Sequence, residues 1–256
     1  MLTGCATPAQ HYANEAIKLG LTEATVTTPT FQHRLYLNAL AQTPSLPARD
    51  LHVYLDGDGT PWEQERWPAD DPTARNPMLL RLMAMDNSPA ILLGRPCYHG
   101  LSHSLGCEGR LWTSKRYARD IVDSMAAALK SWLQTHPFNH LVLIGHSGGG
   151  TLATLMVEQI AEVQTVVTLA ANLDVAAWCR FHDAEPLLDS LNPMTEKPLA
   201  SHIKQFHLAG ARDEVVPARI IESYAKRQPD AVYMRFLEFD HHCCWETIWQ
   251  NSLHLF

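Results

Sequence analysis

No run of apolar residues in this chain approaches the roughly 18 that a helix needs to cross a bilayer, so the sequence predicts no membrane-spanning helix. Charge is scarce as well: Asp, Glu, Lys and Arg make up 18% of 256 residues, with 20 basic residues against 27 acidic ones. The net charge of −7 and the lack of a Lys/Arg stripe exclude the electrostatic footprint of a nucleic-acid partner. There is no internal repeat and no low-complexity segment, which sets aside solenoids and disordered arrays. What remains is a chain with 46% apolar residues, long enough for one large domain with a full core.

The residues that organise the rest are Leu141-Val142-Leu143-Ile144-Gly145-His146-Ser147-Gly148-Gly149-Gly150. Four apolar residues read as a buried strand, Gly-x-Ser-x-Gly as a sharp turn, and 151–160 as a helix with Leu152, Leu155, Met156 and Val157 inward. Such a turn forces Ser147 into a strained backbone conformation and requires Gly145 and Gly149 where side chains would strike the adjoining strand or helix. The serine hydroxyl is then exposed at the end of a sheet, with a helix amino terminus aimed at it.

Around this unit the pattern alternates. Residues 1–24 read as a tether and a lead-in helix carrying Tyr12, Ala16 and Leu19 on one side. Residues 26–28 and 31–38 read as an antiparallel strand pair at a sheet edge, through the period-two spacing of Phe31, His33, Leu35 and Leu37. Strands are expected at 51–55, 90–93, 165–169, 203–208 and 232–239, and helices at 77–85, 114–133, 218–227 and 244–253. The stripe Ile121, Val122, Met125, Leu129, Trp132 and Leu133 marks the clearest helix. A Pro-, Asp- and Trp-rich loop at 60–76 is long enough to be functional. Residues 173–201, with scattered Trp178, Phe181, Leu187, Leu188 and Leu191, read as a small lid over the site. Strands alternating with helices predict an α/β fold, a mostly parallel central sheet with helices on both faces.

A serine hydroxyl needs a base within hydrogen-bond reach and an acid to orient that base. Gly210-Ala211-Arg212-Asp213-Glu214-Val215-Val216-Pro217 follows one strand, and Asp240-His241-His242-Cys243-Cys244-Trp245 follows the last. Together with the Gly-x-Ser-x-Gly elbow, these segments give a chain that resembles the α/β-hydrolase superfamily from about residue 25 to 256. The resemblance implies Ser147 as nucleophile, His241 as general base and then acid, and Asp213 as the group that holds the imidazole. His241 stands five residues before Glu246, a spacing the superfamily often shows; His242 is the alternative base and Asp174 the alternative acid. The implied reaction is hydrolysis of a small-molecule carboxylic ester or thioester through an acyl-enzyme, which needs no metal or other cofactor. The acidic loops argue against strongly anionic substrates.

The oxyanion of such a reaction is held by backbone amides. The resemblance assigns one to Gly148 and the second to Gly57 or Asp58. The superfamily commonly has His-Gly at the latter point, whereas this chain has Asp56-Gly57-Asp58-Gly59. A carboxylate aimed at the oxyanion would oppose the chemistry, so Asp56 and Asp58 must face away or be neutralised, with Arg95 and Arg66 as candidates. The run Val53-Tyr54-Leu55-Asp56-Gly57-Asp58-Gly59-Thr60 is also similar to the first motif of haloacid-dehalogenase-type phosphatases. In that alternative Asp56 attacks phosphate, Asp56 and Asp58 bind magnesium, and Ser147 and Lys204 stand in for the later motifs. A third alternative is a lipid-anchored scaffold that binds a ligand without catalysis.

Leu2-Thr3-Gly4-Cys5 has the form of a bacterial lipobox, with Cys5 as the lipidated residue and Ala6-Thr7-Pro8 as a tether. It points to a lipoprotein anchored at a membrane surface in the periplasm, the alternative being a cytoplasmic protein. In an oxidising compartment Cys97 and Cys107 can clip one loop, and Cys179 can pair with Cys243 or Cys244. Cys97, His99, His103 and Cys107 fit no zinc module, and no metal is expected there.

Overall fold

Short apolar runs bounded by Gly, Pro and Asp build the sheet of this computed structural model, which describes residues 6–42 and 50–256. Cys5 and the lipobox lie outside the described residues. In chain order the elements are α1 (Pro8–Lys18), β1 (Thr22–Thr27), β2 (Gln32–Leu37), β3 (Leu51–Leu55), β4 (Trp62–Glu63), β5 (Trp67–Pro68), α2 (Met78–Ala84), β6 (Ala90–Leu93) and α3 (Arg119–Leu133). They continue with β7 (Leu141–His146), α4 (Gly148–Met156), β8 (Val163–Leu169), α5 (Val175–Phe181), β9 (Lys204–Gly210), α6 (Ala218–Ala225), β10 (Val232–Phe236) and α7 (Trp245–Ser252).

Eight strands form one sheet in the order β1-β2-β6-β3-β7-β8-β9-β10. β1, β2 and β6 pair antiparallel; from β6 to β10 every pairing is parallel. The expected edge pair is therefore present, but β1 starts earlier, at Thr22. β3 and β7 are buried along their whole length, as central strands covered on both faces must be. β4 and β5 make a separate small hairpin inside the long loop.

Two main cores flank the sheet. One packs α3 and α4 against it through Ile121, Met125, Leu129, Leu152 and Met156. The other packs α1, α2 and α7 on the opposite face through Tyr12, Leu79, Met83, Trp245 and Trp249. α1 is capped by Thr7, and the Tyr12 and Ala16 of this lead-in helix are buried. α3 begins at Arg119, later than its apolar stripe suggests, because the preceding residues turn to bond with the 173–201 segment: Ser190 Oγ accepts from the Tyr117 amide and donates to the Ser114 carbonyl. That segment contains α5 and a single 3-10 turn, and Leu187 and Leu191 pack down on the core.

Cys97 and Cys107 are bridged. The remaining cysteines depart from expectation: Cys243 pairs with Cys244, and Cys179 is a buried free thiol. The reason is spatial. α5 turns Cys179 into the α3-α4 core, while Cys243 and Cys244 sit in the loop after β10. The bridge and its surroundings also rule out Cys97, His99, His103 and Cys107 as a ligand set. His99 is wedged against Tyr12 and Tyr36, and His103 is an exposed partner of Asp70.

Candidate active site

β7 runs into α4 with no linker except Ser147. Its φ of 52° and ψ of −124° lie where a non-glycine residue is strained, and the surrounding backbone fixes them. The Ser147 amide donates to the Leu169 carbonyl at 2.9 Å, and its carbonyl accepts from Gly150 at 3.0 Å. The flanking glycines are explained by what a Cβ would meet. At Gly145 it would overlap the backbone of Gly149 and Gly150, and at Gly149 the carbonyl of Leu55 in β3.

Three segments bring their side chains to this elbow. His241, just beyond β10, places Nε2 3.0 Å from Ser147 Oγ. Its Nδ1 lies 2.8 Å from Asp213 Oδ2. A carboxylate only accepts, so Nδ1 carries the proton and Nε2 is left as the acceptor facing Ser147. Asp213 is fixed in turn by the Val215 and Val216 amides, which donate to Oδ1 at 2.8 and 2.7 Å. Ser147, Asp213 and His241 are thus brought together. His242 and Asp174 are not: His242 is exposed and meets His241 edge-on, and Asp174 caps α5 and accepts from Asn192. Glu246 serves as the ion-pair partner of Arg81.

His146, the residue before the serine, was not singled out by its sequence position. Its Nε2 donates to the His241 carbonyl at 2.8 Å, and the Trp245 indole donates to the same oxygen at 3.3 Å. Burial first, and then the neighbouring His241, push its imidazole well below the usual histidine range, so it stays neutral.

The loop after β3 passes directly against Ser147: a Cβ on Gly57 would stand 3.2 Å from the serine Cβ. The Gly57 amide is already used by Asp56 Oδ1 at 2.9 Å. No hydrogen bond among the described residues occupies the Asp58 amide. Asp56 turns away to accept from Tyr12 at 2.7 Å, and burial raises its pKa. Asp58 faces the site, packed against Gly148. Arg95 reaches it at 2.5 Å, Tyr117 at 2.5 Å and Arg116 at 3.2 Å. Burial would raise the Asp58 pKa, but Arg116 and Arg95 outweigh it and hold the carboxyl at about 2. Neutralisation thus comes from Arg95 as expected; Arg66 instead lies over Trp67. Arg116 and Tyr117 were missed, since nothing in their spacing links them to Asp58.

The same arrangement separates the groups a phosphatase would need. Asp56 and Asp58 point to different partners, and Lys204 opens β9, at the end of the sheet opposite the carboxyl ends that hold Ser147. Among the described residues no group of three His, Cys, Asp or Glu side chains could hold a metal ion.

A cleft of about 460 Å³ opens over the serine, lined by Trp62, Met78, Arg116, Asn172, Trp178 and Val216 among others. Asn172, at the end of β8, is 3% exposed, and its Oδ1 is buried without a hydrogen-bond partner. It was also missed, although the carboxyl end of a parallel strand is where sites in such sheets sit.

This chain has the α/β-hydrolase fold. Among solved structures it is similar to an esterase from Pyrococcus furiosus, with a TM-score of 0.65 and 13% identity over 99% of this chain and 94% of that one. It is also similar to the acylaminoacyl peptidase of Pyrococcus horikoshii, with a TM-score of 0.61 and 10% identity over 86% of this chain. A puromycin hydrolase gives a TM-score of 0.62 and 15% identity over 91%. The chain spans only 37% of the length of that peptidase and 37% of that of the puromycin hydrolase. No protein-family model matches the sequence, and no curated protein matches it significantly.

Proposed function

We propose that the protein is a serine hydrolase that cleaves a carboxylic ester or thioester through an acyl-enzyme. One observation carries the reading: the unbroken contact from Ser147 Oγ to His241 Nε2 at 3.0 Å and from His241 Nδ1 to Asp213 Oδ2 at 2.8 Å, on a strained elbow. Ser147 Oγ attacks the carbonyl carbon as Nε2 takes its proton. Asp213 keeps the proton on Nδ1 and stabilises the imidazolium. The amides of Gly148 and Asp58 receive the oxyanion; the Gly57 amide is already committed to Asp56. Nε2 then gives its proton to the leaving alcohol or thiol. Water, deprotonated by the same nitrogen, releases the acid. The esterase, the peptidase and the puromycin hydrolase of the same fold support hydrolysis in general.

The test is labelling with a fluorophosphonate followed by peptide mapping, with and without a chelator. Modification of Ser147 that ignores the chelator, and loss of both labelling and 4-nitrophenyl ester turnover in folded Ser147→Ala, is the expected result. Unlabelled, well-folded protein would remove the reading. The lipobox supports attachment of the chain to a membrane surface through Cys5. Cys5→Ser, made behind a lipoprotein signal sequence, is expected to lose incorporation of a fatty-acid label.

A further inference from the structure

The chain is acidic overall, with a net charge of −7, yet its cleft is not. Around the elbow three guanidiniums, Arg75, Arg95 and Arg116, meet three carboxylates, Asp56, Asp58 and the Asp213 held by His241. Asp56 is turned to Tyr12, and Asp58 is already satisfied by Arg95, Arg116 and Tyr117. The cations are not satisfied to the same degree. Arg75 lines the cleft and makes no hydrogen bond or ion pair among the described residues. Arg116 is only 6% exposed; its Nε donates to the Thr113 carbonyl and its Nη1 to Asp58, while no bond among the described residues takes Nη2. Its guanidinium is held over the Trp178 ring at 5.8 Å, at the wall of the same cleft. A buried cation with a donor to spare, in the lining of the same cleft as an exposed, unpaired one, is an arrangement that an anion completes.

We propose that the substrate carries a free carboxylate, which Arg75 and Arg116 receive while the scissile carbonyl lies at Ser147. A planar carboxylate matches the guanidinium fork. The apolar walls of Trp62, Met78, Trp178 and Val216, in a cleft of about 460 Å³, accommodate the short carbon skeleton between the two groups. This inference rests on the serine-hydrolase reading and deepens it.

Two substrate pairs test it on purified protein at low salt: mono-4-nitrophenyl glutarate against 4-nitrophenyl pentanoate for a carboxylate on the acyl side, and 3-carboxyphenyl acetate against phenyl acetate for the alcohol side. In one pair kcat/KM is expected to favour the carboxylate ester by about tenfold or more, the scale of a charged hydrogen bond. Arg75→Gln should lower that ratio by about tenfold and Arg75→Lys by less, and added salt should erode it. The ratio cancels any general loss of activity. Ratios near one in both pairs, or a preference that Arg75→Gln leaves untouched, overturn the inference while neutral-ester turnover and Ser147 labelling preserve the hydrolase reading. Absence of both labelling and turnover of any ester overturns the two together.

Discussion

Asp58 is the residue on which the site turns. It lies in the loop that passes against the elbow, and it brings a negative charge against Gly148, beside the place where an oxyanion would form. Two guanidiniums and a tyrosine hydroxyl cancel that charge and hold the loop that presents the Asp58 amide. Asp58→Asn keeps the volume but leaves two buried cations without their carboxylate. It is expected to cost about 3–5 kcal/mol in urea unfolding, the scale of a broken buried pair. Because its carboxyl titrates lower in the folded chain than in the unfolded one, Asp58 contributes stability above about pH 4, lost as pH falls toward about 2. Asp213→Asn removes the acceptor that fixes the His241 tautomer, and kcat is expected to fall about 10³–10⁴-fold with the fold intact, as read by steady-state kinetics and circular dichroism. Ser147, Asp213 and His241 were legible because each stands in a short local motif at a strand end. Arg116 and Tyr117 were not, because they reach Asp58 from a turn 58 and 59 residues away, and no periodicity records that convergence.

At the scale of elements, strands β3 and β6 were read to the residue because their ends are marked by Pro, Asp or Gly. β1 was read too short: its Thr22-Glu23 start is exposed and carries no apolar alternation, so only its pairing with Leu37 and Tyr36 defines it. Cysteine pairing failed for a related reason. Cys97 and Cys107 share one loop, so proximity followed from sequence, but nothing in the sequence says which way α5 turns Cys179. The Cys97–Cys107 loop contains Tyr98, whose hydroxyl donates to the Asp58 carbonyl at 3.0 Å. Closing a loop of this size stabilises by roughly 2–3 kcal/mol. Cys97→Ser/Cys107→Ser is therefore expected to unfold at lower urea and to lose part of its kcat/KM. Non-reduced peptide mapping of protein made in an oxidising compartment should find the two joined, and both found free would contradict the pairing.

The whole molecule buries several histidines in neutral form. Desolvation pushes His33 down to about 4, and His99 and His207 to about 3, while His146 is lowered by burial and by His241. The unfolded chain takes up these protons near pH 6.5 and the folded one does not, so stability is complete above that value and falls with acidification. Between pH 6.5 and 5 each such histidine removes up to roughly 2 kcal/mol, before most carboxylates begin to titrate. Urea midpoints at pH 7, 6 and 5 are expected to drop in sequence; a constant midpoint would show that these imidazoles are solvated.

The loop that carries His241 follows β10, the outermost strand, paired only with β9 and exposed along much of its length. Edge strands open first and most often. Yet the main chain of His241 is tied by its carbonyl to His146, in a central strand, and to the Trp245 indole. The His241 backbone is therefore expected to be steadier than the rim: amide protons of β10 should exchange with solvent faster than those of β7. The anchor of His241 thus lies in the deepest part of the molecule rather than in the strand that leads to it.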